Sequence, residues 1–519
     1  MLGHMLHRAR LRLSALGLVL ITVTGAAAVM TTPAGAATGS RRPNIVLVLT
    51  DDLDGTSYFD AQRFPVFHHL MVEQGMTFSD YFVTDSLCCP SRASLLRGQY
   101  VHDTDVLGNL PPSGGFERFH QLGEESSTVA TWLQESGYRT GLFGKYLNGY
   151  PATATPTYVP AGWDEWVSPS AGNPYAEYGY QLNENGKLVD HGSAPSDYLV
   201  DVLSDRTTSF IRAASHGHQP FFAYVAPYVP HQPATPAPRH VDAFPNVHAP
   251  RTASFDQVDP SAPAWLRDRP ALTPAVVRYI DALYRRRLQS MLGVEDMLSA
   301  IVRTLKSTGQ LDNTYIVFTS DNGFHLGQHR LPPGKQTAFD EDIHVPLVVR
   351  GPGVRAHSRS DSFAMNIDLA STFAALGHAH APHFADGASF ADVLHGKGPA
   401  HARKDALIEH YQRPGTRAGR KDVDDDANPP VEGLPTSGPT APLRRPRRLG
   451  AVAIPDYTAL RTDRYVYVEY GTGERELYDL RRDPDEIHNV AATASPALIA
   501  RLSKRLAELR SCSGATCRA

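Results

Sequence analysis

The run Asn44-Ile45-Val46-Leu47-Val48-Leu49-Thr50, followed directly by Asp51-Asp52, is apolar at successive positions rather than at alternate ones. Such a pattern is that of a strand covered on both faces, which is the condition of a parallel sheet sandwiched between helices. Similar apolar runs recur at 140–143, 221–225, 315–319 and 345–349. Helix-like stretches lie between them at 128–135, 197–213 and 274–305, the last opening on Thr273-Pro274, a cap and a first-turn proline. Strands alternating with helices predict an α/β fold, a large mostly parallel sheet with crossover helices. In such sheets the chemistry sits at the carboxyl ends of the strands.

Past about Leu376 the texture changes. Residues 412–448 are rich in Pro, Gly, Arg and Asp without apolar periodicity and read as a long mobile loop. Short strand candidates at 457–461, 465–470 and 476–480 and an amphipathic helix at 496–509 then predict a small antiparallel sheet with one packing helix. The expected division is a catalytic domain over 42–376 and a C-terminal subdomain over 377–519.

Composition sets the outer limits. The chain has 519 residues, 42% hydrophobic and 20% charged, with a formal net charge of -4. That balance excludes a wholesale basic surface for nucleic acid. At the amino end, Arg8, Arg10 and Arg12 precede an apolar run from Leu13 to Val29 and the small residues Pro33-Ala34-Gly35-Ala36. This reads as a secretory signal, residues 1–36, cut after Ala36. An uncleaved anchor is the competing reading, disfavoured because the run is short for a membrane span, so no stable membrane insertion is expected. The expected location is extracellular. The four cysteines, Cys88, Cys89, Cys512 and Cys517, are too few for a disulfide-built scaffold.

Asp51-Asp52 close the first strand, and Asp321-Asn322-Gly323 follow the strand at 315–319. Each alone has an ordinary explanation, a solvated turn for the first and a hairpin turn for the second. Two acidic clusters at two strand ends of one sheet can also converge on a hard cation. Between them in sequence stands Leu87-Cys88-Cys89-Pro90-Ser91-Arg92-Ala93-Ser94-Leu95-Leu96-Arg97-Gly98. A buried thiol pair or a vicinal disulfide would account for the cysteines alone.

The Cys88-x-Pro90-Ser91-Arg92 core, with Leu96 and Gly98, resembles the signature of the type I sulfatases, whose first motif cysteine is oxidised to formylglycine. Gly144-Lys145-Tyr146-Leu147-Asn148, Pro227 to His231, Ser320-Asp321-Asn322-Gly323 with Lys335, and Glu476-Leu477-Tyr478-Asp479-Leu480 resemble further segments of that family. Within it, the likeness is strongest to the N-acetylglucosamine-6-sulfatases, extending to Phe324-His325 and to Arg510-Ser511-Cys512-Ser513-Gly514-Ala515.

The resemblance implies an alkaline-phosphatase-like fold and a sulfuric ester hydrolase. Formylglycine at residue 88 would supply a gem-diol, one hydroxyl to attack sulfur and the other to expel sulfate. One divalent cation, Ca²⁺, would be held by Asp51, Asp52, residue 88, Asp321 and Asn322. Arg92 would stabilise the formylglycine hydrate. Lys145 and Lys335 would bind the sulfate, Lys335 also assisting the leaving group. His231 would be the general acid, and His325 would line the substrate pocket, opposite a purely structural role. Arg92 follows Cys88 by four residues, one turn of a helix.

The partners so implied are a sulfated carbohydrate or aryl sulfate, plausible as 6-O-sulfated N-acetylglucosamine, and a formylglycine-generating enzyme during maturation. Alternatives of the same architecture are a phosphonate or phosphate ester hydrolase and a catalytically silent glycan-binding protein. Two positions depart from the family pattern: Leu147 stands where many members have histidine, and Arg97 where threonine is common. In an exported protein Cys512 and Cys517 would form a small-loop disulfide, leaving Cys89 a buried thiol.

Overall fold

The computed structural model describes residues 41–398 except 56 and 218, then 403–412, 443–444, 446 and 452–518. The signal at 1–36 and nearly all of the 412–448 loop lie outside the described residues.

Sixteen strands are present among them: β1 (Asn44–Thr50), β2 (Met76–Phe78), β3 (Tyr81–Phe82), β4 (Arg139–Gly144), β5 (Glu165–Gly172), β6 (Tyr180–Glu184), β7 (Lys187–His191), β8 (Phe221–Ala226), β9 (Thr314–Ser320), β10 (Leu347–Arg350), β11 (Ser358–Ser360), β12 (Ala364–Met365), β13 (Asp405–His410), β14 (Tyr457–Thr462), β15 (Tyr465–Tyr470) and β16 (Arg475–Asp479). Ten form one sheet in the order β11-β2-β10-β9-β1-β8-β4-β5-β6-β7. Its centre, β9-β1-β8-β4-β5, is parallel throughout. Antiparallel strands border it: β10 beside β9, and the β6-β7 hairpin beside β5.

The unbroken apolar run in β1 is explained by its neighbours. Ile45, Leu47 and Leu49 enter one buried cluster and Val46 and Val48 the other, so both faces of the strand are dry. The second face is covered by the Leu199–Ser215 helix and by the long Pro274–Ser307 helix, whose cap is Thr273, its side chain accepting from Val276 N.

The last four strands make the small antiparallel sheet β13-β14-β15-β16, packed by the Pro496–Leu509 helix. Its apolar residues, among them Leu407, Leu460, Tyr467 and Leu506, belong to the same buried cluster as Ile45 and Leu47 of the main sheet. The disulfide Cys512–Cys517 closes the helix end. No helix among the described residues is long and apolar enough to cross a membrane.

Candidate active site

The register of β1 on β9 pairs Thr50 with Ser320, so the two acidic segments leave the sheet side by side. Asp321 N donates to Thr50 O, and Asp52 N to Asp321 Oδ1 at 3.1 Å. Asp52 adopts the left-handed region, with φ 65°, which turns the chain back over the strand ends. Two strands from β1, β4 ends on Gly144 at φ 113°. A Cβ there would lie 2.1 Å from Ala226 O, so only glycine lets Lys145 N donate to that carbonyl. The site thus stands at the carboxyl ends of the central strands, as the sheet topology requires.

Opposite these ends, Cys88–Arg97 is a helix with every residue buried, closed by Gly98 in the left-handed region. Asn366 anchors it, its Nδ2 donating to Ser91 O and Ser91 Oγ. The helix turn brings Arg92 and Cys88 to one face, as their spacing predicts. Arg92 Nε donates to Asp321 Oδ2 at 2.8 Å and Nη1 to Lys145 O at 3.1 Å, while Nη2 is buried without a partner. Cys88 Sγ lies 3.4 Å from Asp51 Oδ1 and 2.7 Å from Lys335 Nζ. Lys335 is also 2.5 Å from Asp52 Oδ1, and Lys145 Nζ is 2.6 Å from Asp51 Oδ2.

Each of three buried carboxylates therefore has one cation: Asp51 has Lys145, Asp52 has Lys335 and Asp321 has Arg92. Burial opposes ionisation of Asp51, but Lys145 and His231 override it and hold its carboxyl at about 2. Asp52 is lowered in the same way, burial being outweighed by Lys335. Lys145 and Lys335 are correspondingly raised against their own burial, by Asp51 and Asp52. The Cys88 thiol goes the other way: burial, and then Asp51, push it well above its ordinary value. As a thiol it stays protonated, a poor nucleophile at any physiological pH.

His231 is buried, its ring 4.5 Å from that of Tyr175. Nδ1 lies 2.7 Å from Gln232 O, so Nδ1 carries the proton and donates. That leaves Nε2 facing Asp52 Oδ2 at 3.6 Å. Burial lowers its pKa despite Asp52 and Asp51.

The donor set fits a hard divalent cation. Ligand atoms of Asp51, Asp52, Cys88 and His231 lie within 4.8 Å of one another, and Asp52 Oδ2 is a buried oxygen that accepts no hydrogen bond. Asn322 lies beside this set, its Nδ2 donating to Asp52 Oδ1 at 2.8 Å.

His325 is held differently. Its Nδ1 sits 3.0 Å from both Asp342 oxygens, and its backbone exchanges hydrogen bonds with Gly334, next to Lys335. Cys89 is buried, its thiol pushed up to about 12 by burial. Leu147 is buried in the apolar cluster, so no base stands where many relatives have one. Arg97 points away from the site, pairing with Glu124 and donating to Ser127 O.

The sequence reading passed over Arg287, Tyr175 and Asp342. Arg287 donates to Pro230 O and Asp52 O, bracing the turns that carry His231 and Asp52. A signal existed for it: a charge inside the apolar stripe Tyr279, Ile280, Leu283, Tyr284, Leu288, Met291 of a long helix. Tyr175, whose ring lies 5.1 Å from Lys145 Nζ, comes from a short irregular segment with no pattern to find.

The profile of the Sulfatase family matches residues 43–379. Among known proteins, the human N-acetylglucosamine-6-sulfatase is 36% identical over 93% of this chain and 87% of its own length. The arylsulfatase of Volvox carteri is 33% identical over 93% of this chain and 76% of its own length. Among solved structures, a protein in complex with its substrate D-glucosamine-2-N,6-O-disulfate superposes with a TM-score of 0.72 over 90% of this chain and 97% of that one, at 22% identity. With the family profile spanning its strand ends and close relatives spanning nearly its whole length, this chain belongs to the sulfatase family and is a hydrolase of sulfate esters.

Proposed function

We propose that this sulfatase is exported and removes the 6-O-sulfate from N-acetylglucosamine in glycans, using a formylglycine made from Cys88 and a bound Ca²⁺. The observation that carries the reading is the cage at Cys88, in which Lys335, Asp51 and Asp52 meet one helix-borne atom and Lys145 pairs with Asp51 behind it. The choice of sugar follows the 36% identity to a human N-acetylglucosamine-6-sulfatase. Export follows the leader at 1–36, and a terminal disulfide suits an oxidising compartment. We read 42–376 as the catalytic domain and 377–519 as the subdomain that completes it.

Formylglycine supplies a hydrated aldehyde whose hydroxyl attacks sulfur, and the cation polarises the sulfate oxygens. The chain's own residues do the rest. Asp51, Asp52, Asp321 and Asn322 with residue 88 would hold the cation. Three carboxylates against Arg92, Lys145 and Lys335 are neutral, so a dication leaves room for two negative charges. These are the ester's charge and the one developing on the attacking oxygen.

Arg92 Nη2, buried and unused, is the donor available to the residue-88 oxygens. Lys145 and Lys335 bind sulfate oxygens, and Lys335 lies close enough to residue 88 to stabilise the departing oxygen as well. His231 exchanges its proton at Nε2, since Nδ1 is committed to Gln232 O. The negative sulfate adds to the pull of Asp52 and Asp51 toward imidazolium, which then protonates the leaving alkoxide. His325, beside the bridge to Gly334, borders the sugar side.

The test joins the mass of the peptide spanning Cys88 to sulfate release from N-acetylglucosamine 6-sulfate. Formylglycine together with release is expected. Active protein carrying only the thiol would sink the mechanism. Dominant turnover of a phosphonate monoester would place the chain with the phosphonate hydrolases. Glycan binding without sulfate release, even after co-expression with a formylglycine-generating enzyme, would mark a silent binding protein.

A further inference from the structure

Asp85 stands three residues before Cys88 and is fully buried, yet neither carboxyl oxygen has a hydrogen-bond partner among the described residues. Leaving such a group unpaired is costly, so it calls for a ligand. Its place is well fixed. Thr84 N donates to Asn366 Oδ1, Thr84 O accepts from Glu409 N at 2.8 Å, and Ser86 Oγ donates to Thr337 O at 2.8 Å. Asp85 is thus held between β13 and the segment that carries Lys335.

Tyr457 borders the same space. Its hydroxyl donates to Gln336 O at 3.1 Å, and its ring lies 5.2 Å from that of His410 at an interplanar angle of 28°. His410 is buried, and its Nδ1 also has no partner. Asp85 is within electrostatic reach of its neighbours: burial and then Glu409 push its carboxyl well up, with Lys335 opposing. Lys335 cannot neutralise it, being committed to Asp52 and Cys88.

We propose that Asp85, with Tyr457 bordering it, binds hydroxyl groups of the sugar ring whose sulfate is held at Lys335. This rests on the sugar sulfatase reading above and names the part of the site that recognises the ring. Substrate must reach residue 88, and Asp85 is no more buried than Cys88. Ring hydroxyls fit: a carboxyl with no partner among the described residues can both accept from and donate to neighbouring hydroxyls, and Tyr457 supplies an aromatic wall. The subsite therefore selects a ring whose hydroxyls on this side are unsulfated, since a missing or blocked hydroxyl leaves the buried carboxyl unpaired.

The experiment compares kcat/KM for N-acetylglucosamine 6-sulfate with that for nitrophenyl sulfate in the wild type, Asp85→Asn and Asp85→Ala. The ratio of sugar to aryl turnover is expected to fall tenfold or more in Asp85→Ala, and less in Asp85→Asn. A second measurement needs no variant: on the wild type, 3-deoxy and 4-deoxy analogues of the sugar sulfate are tested, and at least one is expected to lose about tenfold. An unchanged ratio, or equal loss on both substrates, overturns the proposal, as does full turnover of both deoxy analogues. Wild type that hydrolyses nitrophenyl sulfate but no sugar sulfate sinks the sugar reading and this subsite together. Failure on both substrates by formylglycine-bearing protein sinks the catalytic reading itself.

Discussion

Lys335 Nζ lies 2.7 Å from Cys88 Sγ while bound to Asp52 Oδ1, so one ammonium touches both the motif cysteine and a carboxylate of the proposed cation cage. Lys335 belongs to a loop with no regular structure, held by the bridge between His325 and Gly334. Its charge is buried and aimed, the arrangement in which a donor to developing charge is worth most.

Removing that charge tests the arrangement. Lys335→Ala is expected to lower kcat/KM for sulfate release by about 10²–10³, the cost of deleting one such donor. Circular dichroism should show the fold retained, and a loss below tenfold would contradict the role.

Chelation separates folding from activity. Because each of the three carboxylates already faces its own Lys or Arg, the chain need not unfold when the cation is withdrawn. Dialysis against a chelator should abolish sulfate release, restored by Ca²⁺, while Tm falls by only a few degrees, on the scale of about 1 kcal/mol. Activity undiminished by exhaustive chelation would argue against the cation.

A stability effect at alkaline pH arises outside this cage. His102 Nδ1 donates to Glu409 at 2.9 Å and Nε2 to Cys512 O at 3.0 Å, so both ring nitrogens carry protons. Burial opposes the charge, but Glu409 outweighs it and raises the pKa from 6.5 to about 9. A pKa raised on folding stabilises fully below the unfolded value and is lost as pH climbs through the folded one. Thermal denaturation should therefore show a loss on the order of 2 kcal/mol between pH 6.5 and 9, absent in His102→Gln.

The terminal disulfide closes a loop of only five residues in separation. Chain-entropy arithmetic gives about 2 kcal/mol for so short a loop. Cys512→Ser paired with Cys517→Ser should lower the urea midpoint accordingly and leave kcat for nitrophenyl sulfate within about twofold.

How much of this was legible depends on which residues had a local signal. The continuous apolar runs gave β1, β4, β8, β9 and β10 within a few residues, because buried parallel strands need no partner of opposite polarity to be recognised. β10 nevertheless runs antiparallel to β9, which a short apolar run does not reveal. The β5-β6-β7 edge was not foreseen: β7 reads Lys187–His191, largely exposed, and carries no apolar face. β13 was missed as well, since it stands apart from its partners β14 to β16 across the long 412–448 stretch. In the site, Cys88, Arg92 and the aspartates were visible through their motif, whereas Arg287, Tyr175 and Asp342 act by reaching in from elements whose local sequence serves packing.

Residues near the two ends of the chain interlock around the Cys88–Arg97 helix. Glu409 N bonds Thr84 O just ahead of it, Asp386 accepts from Tyr100 N just behind it, and that same Asp386 accepts from Gly514 N at the far terminus. Cys88 itself has no exposed surface in the finished molecule. The final strands and helix emerge last from the ribosome, so the hydrogen bonds that lock the segments on either side of this helix wait on their arrival. Synthesis order would thereby leave an interval in which the enzyme proposed to oxidise Cys88 meets an extended segment, and a molecule that folded first would keep its buried thiol.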